Sequence, residues 1–149
     1  MSLWLTLAKI APPVLAEARQ SPALIDALFS GGKGGNDPAL VPHGFRPGAD
    51  SHGEDFRALG DTAEGRAEVE EGESDWRPVY PWLARATGHG CEVVEEYEVG
   101  YGPVFVLAPD EVREVAKGLV AEGWARFVEL GPFYASAAAE GKGVIGGVN

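Results

Sequence analysis

The feature that most constrains the fold is a strand-like segment followed directly by a helix-like one, in the stretch PVFVLAPDEVREVAKGLV (103–120). The apolar run PVFVL predicts a buried strand. After it, Val112, Val115 and Leu119 recur with the spacing of one helix face, and Pro109 suits the first helical turn. We expect an α+β fold in which such strands and helices pack together.

The remaining elements fit one domain over 1–149, with a small, mostly antiparallel sheet packed against several helices. The predicted elements are a strand over Leu3 to Ile10, helices starting at Pro12 and Ser21, a helix in SDWRPVYPWLARATG that ends at Gly88, a helix from about Trp124 that Gly131-Pro132 kinks or splits, and a weak closing strand in GVIGGV.

Residues 30–53 differ from the rest in composition, because they hold seven Gly and three Pro. We predict a flexible loop there. Its SGGKGGND stretch does not match a phosphate-binding loop, since Gly34 follows Lys33 where Ser or Thr is required. Nucleotide binding at this loop is therefore not expected.

The middle third of the chain is acidic, with fourteen Asp or Glu and four Arg between Asp50 and Glu98. The net charge of −11 argues against nucleic acids and anionic membranes as partners. Gly60, Gly65 and Gly72 interrupt this stretch, so we expect only short helical turns. Two interpretations stay open: a solvated face, or a docking surface for a basic partner.

The segment CEVVEEYEV (91–99) alternates, which predicts a half-buried strand with Cys91 and Val93 inward and an acidic outer face carrying Glu92, Glu96 and Glu98. The GYGP that follows predicts a tight turn, in which Gly100 and Gly102 accept positive φ and Pro103 starts the next strand. The alternative is a loop beside a ligand, with the Tyr101 hydroxyl facing a cleft.

Candidate chemistry is sparse. Glu95, on the inward side of the strand, and Tyr101 are weak catalytic candidates, because a buried carboxylate near phenols can do acid–base work. A structural alternative pairs Glu95 with Arg77 or Arg85. The candidate ligand-binding residues are Tyr80, Tyr97 and Tyr101.

We expect no metal and no cofactor. His43, His52, Glu54 and their acidic neighbours could gather round an ion, but their spacing is not that of a known site. Cys91 lies beside glutamates that raise its pKa, so we interpret it as a small buried residue.

One resemblance covers most of the chain. GYGPVFVLAPDEVREVAKGL resembles the central signature of the YfbM-like proteins, a bacterial family without an assigned function. PPVLAEARQSPALIDALF, DWRPVYPWLARATG and FVELGPFYASAAAEGKGVIG are similar to other parts of the family, whereas roughly Gly31 to Gly72 is not. The family's middle helix often carries histidines three apart, where this chain has Tyr80 and Leu83. The resemblance implies a compact α+β domain and no particular reaction.

The functional expectation is a non-enzymatic protein that acts through protein contact, with the acidic third as the candidate docking surface. The alternative is a small-molecule binder or enzyme, with a cleft beside Tyr101 and the aromatic cluster of Trp76, Tyr80 and Trp82. The N-terminal segment predicts neither a signal peptide nor a membrane span, so the expected compartment is the cytoplasm. The oligomeric state is left open.

Overall fold

The computed structural model describes residues 3–21, 24–25, 50–94, 102–124 and 129–148, and the backbone of 95–99. Its elements in chain order are β1 (Trp4–Ile10), α1 (Pro12–Ala18), β2 (Ser51–Asp55), α2 (Phe56–Glu71), α3 (Pro81–Ala86), β3 (Glu92–Val99), β4 (Gly102–Leu107), α4 (Pro109–Ala121), α5 (Leu130–Ala139) and β5 (Gly143–Val148).

The strands form one antiparallel sheet in the order β2-β1-β5-β4-β3. The predicted α+β class, with an antiparallel sheet packed against several helices, is confirmed. The closing strand β5 is the central strand of the sheet. Its Gly146 allows side chains of the two neighbouring strands to pack against each other. A Cβ there would lie 2.4 Å from Leu7 Cδ2 and 2.6 Å from Phe105 Cζ, so glycine lets these two side chains meet across β5.

Both faces of the sheet are covered. One face packs its apolar side chains against α2, α3, α4 and α5, and the opposite face packs against α1, Leu24 and Ile25. The first face is formed by Leu5, Leu7, Phe105, Leu107 and Val144, and the second by Ala8, Ile10, Val104, Val106 and Ile145.

Helix α4 matches its prediction. Val112, Val115 and Leu119 are buried, and the Glu111 side chain accepts a hydrogen bond from the Ala108 backbone N–H at 3.2 Å, which closes the first turn. The Trp82 ring of α3 covers Gly118, where a Cβ would lie 2.0 Å from Trp82 Cγ. Helices α3 and α4 are thereby held close together.

The expectation of short turns after residue 55 is wrong, because α2 is one continuous helix. Asp55 caps its start by accepting a hydrogen bond from Ala58 N at 3.1 Å, and Gly72 ends it with φ of 68°. Leu59, Ala63 and Ala67 are buried one turn apart. The caps and this stripe outweigh the cost of about 1 kcal/mol for each interior glycine.

The helix expected from about Trp124 is described only in its later part. Helix α4 ends at Ala121, residues 125–128 lie outside the described part, and α5 starts at Leu130. Gly131 and Pro132 occupy the first turn of α5, so whether they split a longer helix stays a prediction. Proline is tolerated there because the first N–H groups of a helix have no intrahelical partner.

The predicted loop over 30–53 extends too far at its C-terminal end, because its last three residues belong to a strand. Strand β2 begins at Ser51, and residues 30–49 lie outside the described part. The stretch Ser51-His52-Gly53 has no apolar residue to mark it as a strand. It is ordered by backbone pairing with the free edge of β1, such as His52 opposite Leu7.

The simple alternation predicted for β3 is wrong in its details. The register against β4 shifts between Val94 and Glu98, so a bulge interrupts the ladder. Val93, expected to be inward, is 39% exposed, whereas Val94 packs against the core on the α1 side of the sheet.

Candidate functional site

The predicted GYGP site is only partly described. Strands β3 and β4 pair up to Val99 opposite Gly102, with Pro103 opposite Glu98. Gly100, Tyr101 and the side chains of Glu95 and Tyr97 lie outside the described part of the chain. The turn, the catalytic candidates and the Tyr101 cleft therefore stay predictions.

Tyr80, a predicted ligand-binding residue, is a core residue in the structure. It is 5% exposed, and its ring meets the Trp124 ring edge-on at 5.1 Å. The hydroxyl donates to Glu70 Oε2 at 3.0 Å, and the Arg66 guanidinium lies 4.8 Å from the ring centre. Burial, with the hydrogen bond to Glu70, raises the pKa of Tyr80. The phenol is a donor in a fixed contact and is not presented to a cleft.

The aromatic cluster of Trp76, Tyr80 and Trp82 does not form one wall. Trp76 is 6% exposed and is covered by the Arg77 guanidinium, 5.4 Å from its ring centre. Trp82, in contrast, is partly exposed and lines a cleft of about 550 Å³. The cleft also presents Arg77, Arg85 and His89, together with one carboxylate of the described residues, Asp75.

Arg85 is held at the edge of this cleft. Its guanidinium pairs with Glu111 of α4, while its Nε is buried and has no partner in the described structure. Arg77 contacts Asp75 at 3.8 Å. The alternative that pairs Glu95 with one of these arginines stays a prediction, because the Glu95 side chain lies outside the described part of the chain.

Helix α2 carries the most distinctive charged surface. Four carboxylates recur at intervals of three, four and three residues and are all exposed; we call them the acidic ridge, and they are Asp61, Glu64, Glu68 and Glu71. Residues three and four apart are neighbours on a helix, so the ridge follows one side of α2 for about 15 Å. None of the four forms an ion pair within the described residues.

Two small or apolar positions flank the ridge. Val69 is 87% exposed, the largest value among the exposed large apolar residues of the described chain. Gly65 lies in the middle of α2, and a Cβ there would meet no atom within 4 Å. Core packing therefore requires neither the glycine at 65 nor the valine at 69.

Other carboxylates of the predicted acidic third form contacts within the protein. Asp50 is completely buried, Glu70 binds Tyr80 and Arg66, and Glu92 pairs with Arg19 at 3.0 Å. Glu92 faces water as predicted, since its side chain is 58% exposed, but it forms an ion pair there with Arg19, which follows α1. The free acidic surface is on α2 and not on the first part of β3.

Asp50 belongs to a second charged group, the buried charge cluster, in which Lys9 and Asp50 are buried and Glu140 and Lys142 are partly exposed. Lys9 Nζ donates to Ser136 Oγ at 2.7 Å and pairs with Glu140 and, at 3.9 Å, with Asp50. Lys142 Nζ lies 3.3 Å from Asp50 and 3.2 Å from Glu140. Two cations and two anions thus meet among the described residues, and the hydrogen bond from Lys9 lowers the pKa of Glu140 to about 2.

Cys91, predicted to be a small buried residue, is partly buried. It packs against the core, and Sγ donates to the Arg85 carbonyl oxygen at 3.2 Å. Burial raises the pKa of the thiol to about 11. The main cause is desolvation and not the neighbouring glutamates of β3, and the thiolate needed for nucleophilic attack is disfavoured.

Sequence reasoning located the acidic third but missed the ridge. The signal was present in the spacing of Asp61, Glu64, Glu68 and Glu71, which is helical. The intervening glycines concealed it, because they argued against a continuous helix. The caps at Asp55 and Gly72 were the additional evidence that could have predicted α2.

The described helices include none that is both long enough and apolar enough to pass through a membrane. Comparison of the chain with protein-family models, with curated proteins and with solved structures found no match. The resemblance to the YfbM-like proteins thus stays a prediction, and the function has to be inferred from this structure alone.

Proposed function

We propose that this protein acts in the cytoplasm by binding a basic protein partner through the acidic ridge of α2, and that it works by masking that partner's charge rather than by catalysis. The observation that carries this proposal is the ridge itself: four exposed carboxylates in one row, without ion-pair partners among the described residues.

The ridge is unfavourable for the helix that carries it. Like charges three or four residues apart destabilise a helix by roughly 0.2–0.5 kcal/mol per pair. Glu68 and Glu71 also lie in the last turns, where the helix dipole favours cations. Since the fold gains nothing from these charges, a role outside the fold accounts for them best.

The surroundings of the ridge suit protein contact. Val69 offers an exposed apolar side chain beside the charges, and Gly65 leaves room for close approach of another backbone. Interfaces of this kind combine a small apolar contact with complementary charge. The charge speeds association, and the apolar contact slows dissociation.

The test compares natural protein with two variants of equal net charge. The ridge variant carries Glu64→Gln and Glu68→Gln, and the control carries Asp110→Asn and Glu114→Gln on the exposed side of α4. Each tagged protein is used to capture partners from native lysate at low, physiological and high salt. We expect a basic protein to be retained by natural protein and the control, and lost from the ridge variant.

Salt supplies an independent criterion. At about 0.15 M ionic strength, exposed charges are screened beyond roughly 8 Å, so capture should fall steeply above that concentration. Equal capture by the ridge variant and the control would contradict the proposal, as would a partner whose retention does not depend on salt.

The cleft beside Trp82 supports a second candidate function, the binding of a small anion with a planar group. The favouring observation is that Arg77, Arg85 and His89 line the cleft with the Trp82 ring and, among the described residues, only one carboxylate, Asp75, in a chain whose net charge is −11. Guanidinium groups recognise carboxylates and phosphates, and the indole can stack on a ring.

A thermal-shift screen of aromatic carboxylates and nucleotides tests this candidate, since a ligand of the native state raises the melting temperature. A hit should be weakened by Arg77→Gln, whereas Lys117→Gln on α4 should leave it unchanged. No shift at millimolar ligand, or equal shifts for both variants, would count against the cleft.

A further inference from the structure

Strand β2 places two metal-ligating side chains on one face of the sheet edge. His52 and Glu54 are separated by one residue, so both point the same way, opposite Leu7 and Leu5 of β1. That face is the one covered by α5. Their side chains are only 14% and 15% exposed, and His52 Nε2 lies 2.9 Å from Glu54 Oε1.

Helix α5 completes the group from the other side. Glu129 precedes its first residue, and its carboxylate joins the two side chains of β2. Phe133, one turn further, stacks on the His52 ring at 5.4 Å between centroids and 25° between planes. The stacking restricts the imidazole to one orientation, which preorganises a ligand.

We infer that His52, Glu54 and Glu129 form a binding site for a divalent transition-metal ion of the zinc type. One ligand atom from each residue lies within 4.8 Å of the other two. Ligands of a tetrahedral ion at about 2.0–2.1 Å stand roughly 3.3 Å apart, so modest side-chain rotations bring all three into range.

The donor set selects the class of ion. An imidazole nitrogen with two carboxylates suits zinc and its first-row neighbours, whereas calcium and magnesium prefer oxygen alone. Two carboxylate charges also match one divalent cation. Within the described contacts these carboxylates have only His52 between them, and a single imidazole cannot neutralise both.

Three protein ligands leave one position of a tetrahedral ion open to solvent or to a group from another molecule. The site also joins the edge strand β2 to the start of α5, two elements that are far apart in the chain. A bound ion would therefore hold this edge of the sheet against the helical layer.

The test is titration of the chelator-treated protein with zinc chloride, measured by calorimetry, and with Co²⁺, measured by its visible absorption. We expect about one ion per chain. Glu129→Gln, at an exposed position outside the strand, should weaken binding at least about tenfold. Residues that only support the metal ligands already cost about tenfold or more in metal affinity when they are replaced, and a ligand should cost no less. His52→Gln should do the same, and Glu114→Gln should leave affinity unchanged.

Thermal melts establish that each variant is folded before its affinity is compared, and added zinc should raise the melting temperature of natural protein more than that of Glu129→Gln. Binding weaker than about 1 mM would overturn the assignment. So would an affinity that is the same in natural protein, Glu129→Gln and His52→Gln, because the ion would then be bound elsewhere.

Discussion

The buried charge cluster and the acidic ridge are both rich in charge, yet they are built in opposite ways. In the cluster, Lys9 and Lys142 balance Asp50 and Glu140, and Lys9 is only 5% exposed. On the ridge, four like charges lie side by side in water without described partners. The buried charge cluster joins β1, the start of β2 and the end of α5, whereas the acidic ridge joins no elements within the described chain.

The difference indicates what each group does. A buried charge is tolerated only when its desolvation is offset by partners and hydrogen bonds, so the cluster has to be complete for the fold to be stable. An exposed charge needs no such compensation. Its removal does not destabilise the fold, and its charge acts on molecules that approach the surface. The cluster should therefore govern stability and the ridge should govern association.

The largest expected effect is in the cluster. Lys9→Met leaves Asp50 and Glu140 with Lys142 as their remaining described cation, so we expect the free energy of unfolding to fall by about 3 kcal/mol. The control Lys117→Met, on the exposed side of α4, should change it by less than about 0.5 kcal/mol. Urea titration measures both. Equal effects would show that the cluster contributes no more than a surface lysine.

The pH dependence of stability sharpens the same point. The pKa of Glu140 falls from its ordinary value of 4.5 to about 2 in the folded state. Because the folded pKa is the lower one, Glu140 stabilises the protein above pH 4.5 and loses that effect as the pH falls towards 2. Glu140→Gln should therefore be less stable than natural protein at pH 6, and the difference should shrink in acid. A difference that stays constant down to pH 3 would contradict this origin.

A stabilising change is expected beside the ridge. Gly65→Ala adds a methyl group in open space inside α2, so stability should rise by about 0.5–1 kcal/mol. Gly72→Ala is the matched control, because φ of 68° disfavours alanine there and stability should fall. If Gly65→Ala destabilises the protein, the outer side of α2 is not free as described.

The smallest effect is the most informative about the ridge. Glu68→Lys replaces a repulsive neighbour of Glu64 by an attractive one and puts a cation near the end of α2. Stability should rise by roughly 0.5 kcal/mol. Thermal unfolding at low and high salt checks this, since the gain should shrink with salt. A loss of stability would place Glu68 in a favourable contact and weaken the case for docking.

Strand β1 and helix α4 were predictable from sequence because their apolar residues repeat with the period of the element, and β4 was predictable from its continuous apolar run. Helix α2 was not predictable from its apolar residues, since Leu59, Ala63 and Ala67 form a narrow stripe that carries little periodic signal, and only its caps at Asp55 and Gly72 marked it. Strand β2 was not predictable either, because backbone pairing with β1 orders a segment without apolar residues. Pairing between distant segments is invisible in a local pattern.

The candidate sites show the same limit. Acidic composition pointed to residues 50–98, but which carboxylates are free depended on partners such as Arg19 and Tyr80 from elsewhere in the fold. Likewise His52 and Glu54 were considered together from sequence, but Glu129 lies far along the chain and reaches them only through the packing of α5. Tertiary contact decides both sites, whereas sequence supplies only the candidate residues.

The central claim is that the ridge serves association rather than stability. The most direct test measures the dissociation constant for the captured basic partner across a salt series, for natural protein, the ridge variant with Glu64→Gln and Glu68→Gln, and the α4 control with Asp110→Asn and Glu114→Gln. We predict that the ridge variant binds more weakly at low salt, that the difference disappears at high salt, and that the control follows natural protein. Identical curves for the two variants would mean that only net charge matters, which would contradict the claim.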